Sequence, residues 1–242
     1  MWEVADLEKT VRQNAAVKSK TIQESSTRTR DAIPTKTEMM RALAERHGVE
    51  NQEKISKASV AICGLGGLGS NIAVALARAG VGRLHLIDFD KVDLSNLNRQ
   101  QYAVSQLGCN KTEALCENIK AIAPYCEIVT DTVKITEDNV ETLLADEDII
   151  CEAFDKAEQK AMLVNSVLEK FPDKYLVAGS GMAGFDSANS IKTRRVTKRF
   201  YLCGDETTDI ADGIGLVAPR VMVCAAHQAQ MVLRIILGEL DA

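Results

Sequence analysis

The segment Val60-Ala-Ile-Cys-Gly64-Leu-Gly66-Gly67-Leu-Gly69 constrains the fold more than any other part of the chain. An apolar run, Ala58–Cys63, ends in glycines at GxGxxG spacing. An Ala-rich stretch with helical periodicity, Gly69–Ala79, follows at once. That order is strand, tight turn, helix. Gly64 allows the turn, Gly66 and Gly67 leave the backbone open to a phosphate, and Gly69 lets helix and strand pack closely. The first turn of the helix then offers unpaired N–H donors to an anion. Arg83–Asp88 reads as the next strand. Asp88 falls about twenty residues beyond the glycines, where a carboxylate accepts hydrogen bonds from ribose hydroxyls. A glycine turn needed only for packing is the plain alternative. The glycines alone do not separate a nicotinamide cofactor from ATP.

Further along, apolar runs continue to alternate with helical stretches. Glu127–Thr132, Asp148–Ala153, Tyr175–Ala178 and Ser190–Val196 read as strands, and Lys111–Ala123 and Lys156–Lys170 as helices. Pro219–Gly238 is a long apolar helix with Pro in its first turn and Gly at its end. The alternation predicts a Rossmann-like, doubly wound, mostly parallel α/β sheet closed by a C-terminal helix. Residues 1–50 differ: Val11–Lys36 is rich in Ser, Thr, Lys and Arg, with helical pieces at Glu3–Gln13 and Lys36–Arg46. They read as an N-terminal helical arm before a domain spanning 51–242.

Net charge is −5, which gives no general basic surface for nucleic acid. No apolar run reads as membrane-spanning, and the mixed charges of MWEVADLEKTVRQ do not form a signal peptide. A cytoplasmic protein is expected. Seven cysteines, with no CxxC pair, predict neither a disulfide scaffold nor a zinc site. His47, His85 and His227 show no metal spacing, and His85 reads as a packed or satisfied polar residue inside a strand.

The stretch after Asp88, containing Asp90, Asn96, Arg99 and Gln100, favours a triphosphate over a dinucleotide. Arg99 presents a planar fork of donors to phosphate oxygens, and Asn96 adds an amide donor without charge. Lys111 opens a helix after the turn Leu107-Gly-Cys-Asn, so its ammonium can return to the same crevice. Asp155 follows an apolar strand at the edge where ligands gather in open α/β sheets, and it suits a hard Mg2+ ion bound to polyphosphate. Plainer readings stand beside these. They take Arg99 and Lys111 as solvated charges, the less favoured reading within this cluster, Asp93 as a turn cap, Asn98 as a turn residue and Asp155 as a helix N-cap.

GLGGLGSN, LIDFDKVDLSNLNRQ, Lys111 and EAFD155 together resemble the ThiF/MoeB family, bacterial relatives of ubiquitin-activating enzymes. The resemblance runs from about Gln52 to Leu240. RHGVENQEKISKASVAICGLGGLGSN and GLVAPRVMVCAAHQAQMVLRIILGEL look most like its shorter thiamine-biosynthesis members. The resemblance implies an ATP-dependent adenylyltransferase acting on the C-terminal Gly-Gly carboxylate of a ThiS-like sulfur carrier. ATP would lie over Gly64–Gly69, with Asp88 on the ribose, Asn96, Arg99 and Lys111 on the phosphates, and Asp155 on magnesium. An arginine from the partner subunit of a homodimer, Arg41 or Arg46, would complete the site. Gly179, Gly181 and Gly184 either line the passage of the carrier tail or end a strand. The two CxxC pairs of many relatives are missing, so no zinc is expected. The loop Gly204–Leu216 lacks the cysteine that some relatives use covalently. Cys203 is the nearest candidate if it is exposed and partly ionised, and a structural thiol if it is not. A tRNA threonylcarbamoyladenosine dehydratase and a non-catalytic dimeric binding module of the same fold are the alternatives.

Overall fold

The computed structural model describes residues 33–242 apart from Ile214; the expected Glu3–Gln13 helix and most of the Val11–Lys36 tract lie outside the described residues. Two compact units divide at Glu38 and Met39. In the first, the described residues end in the first turn of a helix, where Thr35 donates to the Glu38 carboxylate through its N–H and its hydroxyl (2.8 and 2.9 Å). The second unit, Met39–Ala242, carries the sheet. It begins earlier than the compositional change near residue 50.

Two helices, α1 (Lys36–His47) and α2 (Val49–Lys57), precede the first strand. The polar α2 buries only Gln52 and Ile55, so its sequence carries little helical signal. Then come β1 (Ser59–Cys63), α3 (Gly67–Ala79), β2 (Arg83–Ile87), α4 (Lys111–Ile122) and β3 (Glu127–Asp131). The second half holds α5 (Val140–Leu143), β4 (Ile149–Glu152), α6 (Ala157–Lys170), β5 (Tyr175–Gly179), β6 (Lys192–Arg195), β7 (Phe200–Gly204) and α7 (Ala218–Leu237).

The seven strands lie in the order β3-β2-β1-β4-β5-β7-β6. All neighbours are parallel except β6, which runs antiparallel to β7 at the edge. Strand residues alternate between two cores. Val60, Ile62, Leu84, Leu86, Cys151 and Val177 face α3, α4 and α7, whereas Ala61, Cys63, Ile87, Ile150 and Leu176 face α5 and α6. A parallel sheet covered on both faces needs such near-continuous apolar strands, which is why they read as runs rather than as polar/apolar alternation. β7 carries little strand signal in the sequence because FYLCG is one short run beside the basic tract Lys192–Arg199. α7 has the length and apolar composition of a membrane span, which the sequence reading did not anticipate; half of it is buried inside the fold, against α3 and the sheet.

Chain order reverses between β1 and β4, and the crevice at this switch point is where a ligand site belongs. The first glycine turn is built into it. Gly64 has φ +91, and a Cβ there would lie 2.9 Å from the Ala153 carbonyl and from the Phe154 ring, so β1 and β4 meet only because no side chain intervenes. At Gly69 a Cβ would run into the Gly64 carbonyl, and its absence allows α3 to start directly above β1.

Candidate active site

A cleft of about 460 Å³ opens along the carboxyl ends of the strands. It reaches from Val133–Ile135, just past β3, to Glu206–Ile210, just past β7. Its floor is the glycine turn at Gly64, Gly66 and Gly67. Gly69 lies behind the floor, inside the helix–strand contact.

Asp88 ties the floor to β2. Its carboxylate accepts the Leu65 N–H (2.6 Å) and the Asp90 N–H (2.7 Å). Two acceptor sites remain for ribose hydroxyls, since an ionised carboxylate offers about four. Lys111, at the start of α4, is 5% exposed and holds its ammonium 2.9 Å from Asp90 and 3.7 Å from Asp88. It is therefore not a solvated surface charge. It neutralises two carboxylates at the cleft wall.

Arg99 is oriented by its own turn. Its guanidinium donates to Asn96 Oδ1 (2.8 Å) and Asn98 Oδ1 (3.1 Å), while its buried Nε has no partner among the described residues. Burial lowers the Arg99 pKa, and the negative charge of Asp155 opposes that shift. Beside it the buried Gln100 Oε1 also lacks a partner among the described residues. An orphaned donor and an orphaned acceptor at one cleft wall are what a polar ligand would satisfy. Asp155 lines the cleft, is exposed, and does not cap α6, whose N-cap position is Lys156 with no side-chain hydrogen bond. The N-cap alternative for Asp155 is therefore not realised. Asp93 does cap its turn, accepting from the Ser95 N–H (2.9 Å), and Asn98 binds the Leu216 carbonyl (3.1 Å).

These residues fit a magnesium–nucleotide. The glycine floor and the α3 N-terminus suit phosphates, and Arg99 and Lys111 supply positive charge. Magnesium keeps several waters and takes one or two carboxylates plus phosphate oxygens. Asp155 provides such a carboxylate; among the described residues no group of three or more His, Cys, Asp or Glu is arranged to hold a metal on its own. The cleft thus brings together Gly64, Gly66, Gly67, Asp88, Asp90, Asn96, Arg99, Gln100, Lys111 and Asp155.

The exposed thiol expected at Cys203 is not realised. Cys203 is fully buried at the end of β7, and burial pushes its thiol up to about 11, although the Thr193 hydroxyl pulls the other way. An exposed, ionised thiol is not present there. Of the three candidate passage glycines, Gly181 lines the cleft while Gly179 ends β5. Arg41 and Arg46 are exposed on α1 and do not line this chain's cleft. Sequence reasoning missed Lys160, one turn into α6, which lines the cleft and holds the buried Glu152 carboxylate (3.0 Å) and the Gly179 carbonyl (2.9 Å). It also missed Thr207 and Thr208, which line the same cleft just past β7. A lysine spaced after Asp155 along a helix was the only available signal, and nothing marked the threonines.

The doubly wound sheet and the glycine-floored cleft at its switch point define a Rossmann-like α/β protein whose site suits a phosphate-bearing ligand. The comparison with known proteins is specific: residues 39–242 match the ThiF family, and the chain belongs to that family. It is 32% identical over 205 residues to the adenylyltransferase and sulfurtransferase MOCS3 of Aedes aegypti, covering 79% of this chain and 44% of that protein. It is 36% identical over 138 residues to the tRNA threonylcarbamoyladenosine dehydratase of Bacillus subtilis (strain 168), covering 56% of this chain and 54% of that protein. The chain thus spans only about half the length of these relatives or less. The fold matches the E. coli tRNA N6-threonylcarbamoyladenosine dehydratase TcdA in complex with ATP, with TM-score 0.76 and 21% identity over 86% of this chain and 98% of that one.

Proposed function

We propose that this chain is an ATP-dependent adenylyltransferase that activates the C-terminal carboxylate of a small sulfur-carrier protein. One observation carries the reading. Asn96, Arg99, Lys111 and Asp155 converge on a glycine-floored cleft that continues past the nucleotide half into a second half, lined by Ser180–Ala183 and Glu206–Ile210. The nucleotide fits on the β2–β3 side, under Asp88 and beside Val133–Ile135. The acceptor then enters from the β5–β7 side and meets the α-phosphate above Gly66.

A carboxylate is a poor electrophile at neutral pH. Attack of its oxygen on the α-phosphorus of ATP forms an acyl-adenylate and releases pyrophosphate. The enzyme needs no covalent nucleophile for this step; it needs in-line positioning and positive charge where negative charge builds up. Arg99, oriented by Asn96 and Asn98, supplies that charge at the phosphates. Lys111 exchanges part of its bonding to Asp90 for a phosphate oxygen. Asp155 would hold magnesium, whose chemistry is to neutralise phosphate charge. Arg41 or Arg46 from a second copy completes the site in the dimeric form of this reading.

A ThiS-like carrier of thiamine synthesis is the first candidate acceptor. Only the motif resemblance supports that choice, since the relatives named above carry other functions. A second reading, a tRNA threonylcarbamoyladenosine dehydratase, is favoured by the Bacillus subtilis relative and by the fold match to TcdA. Exchange of labelled pyrophosphate into ATP separates the two. Exchange that depends on a Gly-Gly-ending carrier is the expected result. Exchange or AMP release that depends only on modified tRNA would transfer the assignment to the dehydratase, and no turnover with either would favour a binding module.

A further inference from the structure

One buried ion pair holds the acceptor half of the cleft together. Arg220, in the first turn of α7, is 4% exposed and spends every N–H it has. Its Nε donates to the Ala183 carbonyl (3.1 Å). One terminal nitrogen donates to the carbonyls of Asp186 (2.7 Å) and Ser187 (2.8 Å), and the other to the Ser190 hydroxyl (3.1 Å) and the Asp205 carboxylate. Asp205 in turn accepts the N–H groups of Thr207 and Thr208, both at 2.9 Å, and the Thr208 hydroxyl (2.9 Å). That hydroxyl accepts the Ala183 N–H (3.0 Å).

Two cleft walls are thereby locked to each other. One is Ser180–Ala183, after β5; the other is Glu206–Thr208, after β7. Backbone bonds from Asp205 N to the Gly181 carbonyl (2.9 Å) and from Glu206 N to the Ser180 carbonyl (3.0 Å) complete the junction. The packing leaves no slack: a Cβ on Gly181 would run into the Asp205 carboxylate. Glu206 is the one non-glycine residue with positive φ (60°) among the described residues, and Arg194 on β6 grips its carboxylate with two hydrogen bonds. Backbone held in a sparsely populated region persists only where its surroundings over-determine it, and such positions cluster at functional sites. Neither Arg220 nor Asp205 lines the cleft itself, so neither touches the nucleotide region around Arg99 and Asp155.

We propose that Arg220 and Asp205 are positioning residues for the acceptor: their pair sets the spacing of the two walls between which the reacting carboxylate and its tail are held. This rests on the adenylyltransferase reading for the identity of the acceptor, but not for the locking of the walls. The test uses the full chain and two variants, Arg220→Lys and Asp205→Asn. Asp205→Asn is nearly isosteric and leaves the four other Arg220 bonds in place, so it serves if Arg220→Lys fails to fold. Two readouts are taken. Amide hydrogen exchange should quicken about tenfold in the peptides covering 180–190 and 205–210, with the 60–80 peptides unchanged. With a Gly-Gly-ending carrier, KM for the carrier should rise about tenfold while kcat and KM for ATP stay within about twofold, the split expected of a lost positioning interaction.

Unchanged exchange in 180–190 and 205–210 overturns the proposal whatever the activity. So does a parallel rise in both KM values, which would mark a general loss of structure. If the wild-type chain shows no carrier-dependent turnover, the adenylyltransferase reading fails separately, and the acceptor role fails with it. The hydrogen exchange then still reports whether the pair locks the walls.

Discussion

Lys111 and Asp90 form an ion pair of 2.9 Å across the entrance to the glycine turn, and Asp88 lies behind it at 3.7 Å from the same ammonium. This arrangement predicts non-additive mutants. Lys111→Ala leaves two carboxylates uncompensated beside the triphosphate, so KM for ATP should rise by at least about tenfold and unfolding stability should fall by about 3 kcal/mol. Asp90→Asn alone frees the ammonium for phosphate and should be mild. The double variant should regain part of what Lys111→Ala loses. Simple additivity in ATP titrations and urea unfolding would show that Asp90 and Lys111 act independently.

Arg99 carries a separate prediction. Its terminal nitrogens are held by Asn96 and Asn98, so the fork faces the cleft already oriented. Removing a preorganised donor costs about 3 kcal/mol of transition-state stabilisation, or about a hundredfold in rate. Arg99→Ala should lose that much in pyrophosphate exchange. Arg99→Lys should recover little, because an ammonium cannot reproduce the planar fork. Asn96→Ala should fall between, at about tenfold, since Asn98 still holds the side chain. Full-rate exchange by Arg99→Ala would remove Arg99 from the phosphate site.

Much of this site was legible in the chain. The glycine turn, Asp88 and the Asn96–Arg99 cluster lie within one continuous stretch, and the chemistry of each residue type points to phosphate. Asp155 was legible because an apolar run ends just before it. The second half of the cleft was not. Its walls join residues near 181 to residues near 206 through Arg220, and no local periodicity records such a meeting. The fold was legible for the same reason as the first half of the site: β1, β2, β4 and β5 are apolar runs. α2, with two buried residues, and β7, five residues long, carry too little pattern to show in isolation.

Asp155 is exposed, caps nothing among the described residues and acts on Arg99 only through its charge, so its carboxylate can take a cation. Asp155→Asn should leave the thermal midpoint unchanged to within about 1 °C, as is usual for an exposed side chain without a structural partner. The magnesium concentration for half-maximal exchange should rise by about tenfold or more. An unaltered magnesium dependence would reassign Asp155 to a charge that merely balances Arg99.

His85 lies inside β2, on the sheet face opposite α3, between Glu147 (3.1 Å) and Asp131 (2.8 Å); Arg83 also reaches Glu147 (3.2 Å). Burial favours the neutral ring, but the two acidic partners outweigh it and raise the His85 pKa. A raised folded-state pKa means that the protonated ring stabilises the fold. That contribution is complete below the unfolded value of about 6.5 and is lost as pH rises through the folded value. Urea midpoints measured from pH 6 to pH 9 should therefore fall more steeply in the wild type than in His85→Gln. Parallel profiles would mean that His85 is neutral throughout.

Under the adenylyltransferase reading, Cys203 is the candidate thiol for a covalent carrier intermediate. Its sulfur is fully buried in the core beneath α7, packed near Thr193 and Cys224. With a pKa of about 11, roughly one thiol in ten thousand is ionised at pH 7, and thiolate is the species that attacks an acyl-adenylate. The exposed Cys109 lies in the turn before Lys111 and is the thiol that reagents reach first. Iodoacetamide followed by peptide mass spectrometry should therefore label Cys109 early, and Cys203 only on unfolding. Cys203→Ala removes one buried sulfur from the core, costing about 1 kcal/mol, and should keep exchange within about twofold. If native Cys203 labelled as fast as Cys109, or if Cys203→Ala abolished turnover while remaining folded, the thiol would have to reach the cleft in a conformation different from this one. The adenylation step would then feed a thioester on the same chain rather than release the acyl-adenylate to a separate sulfur donor.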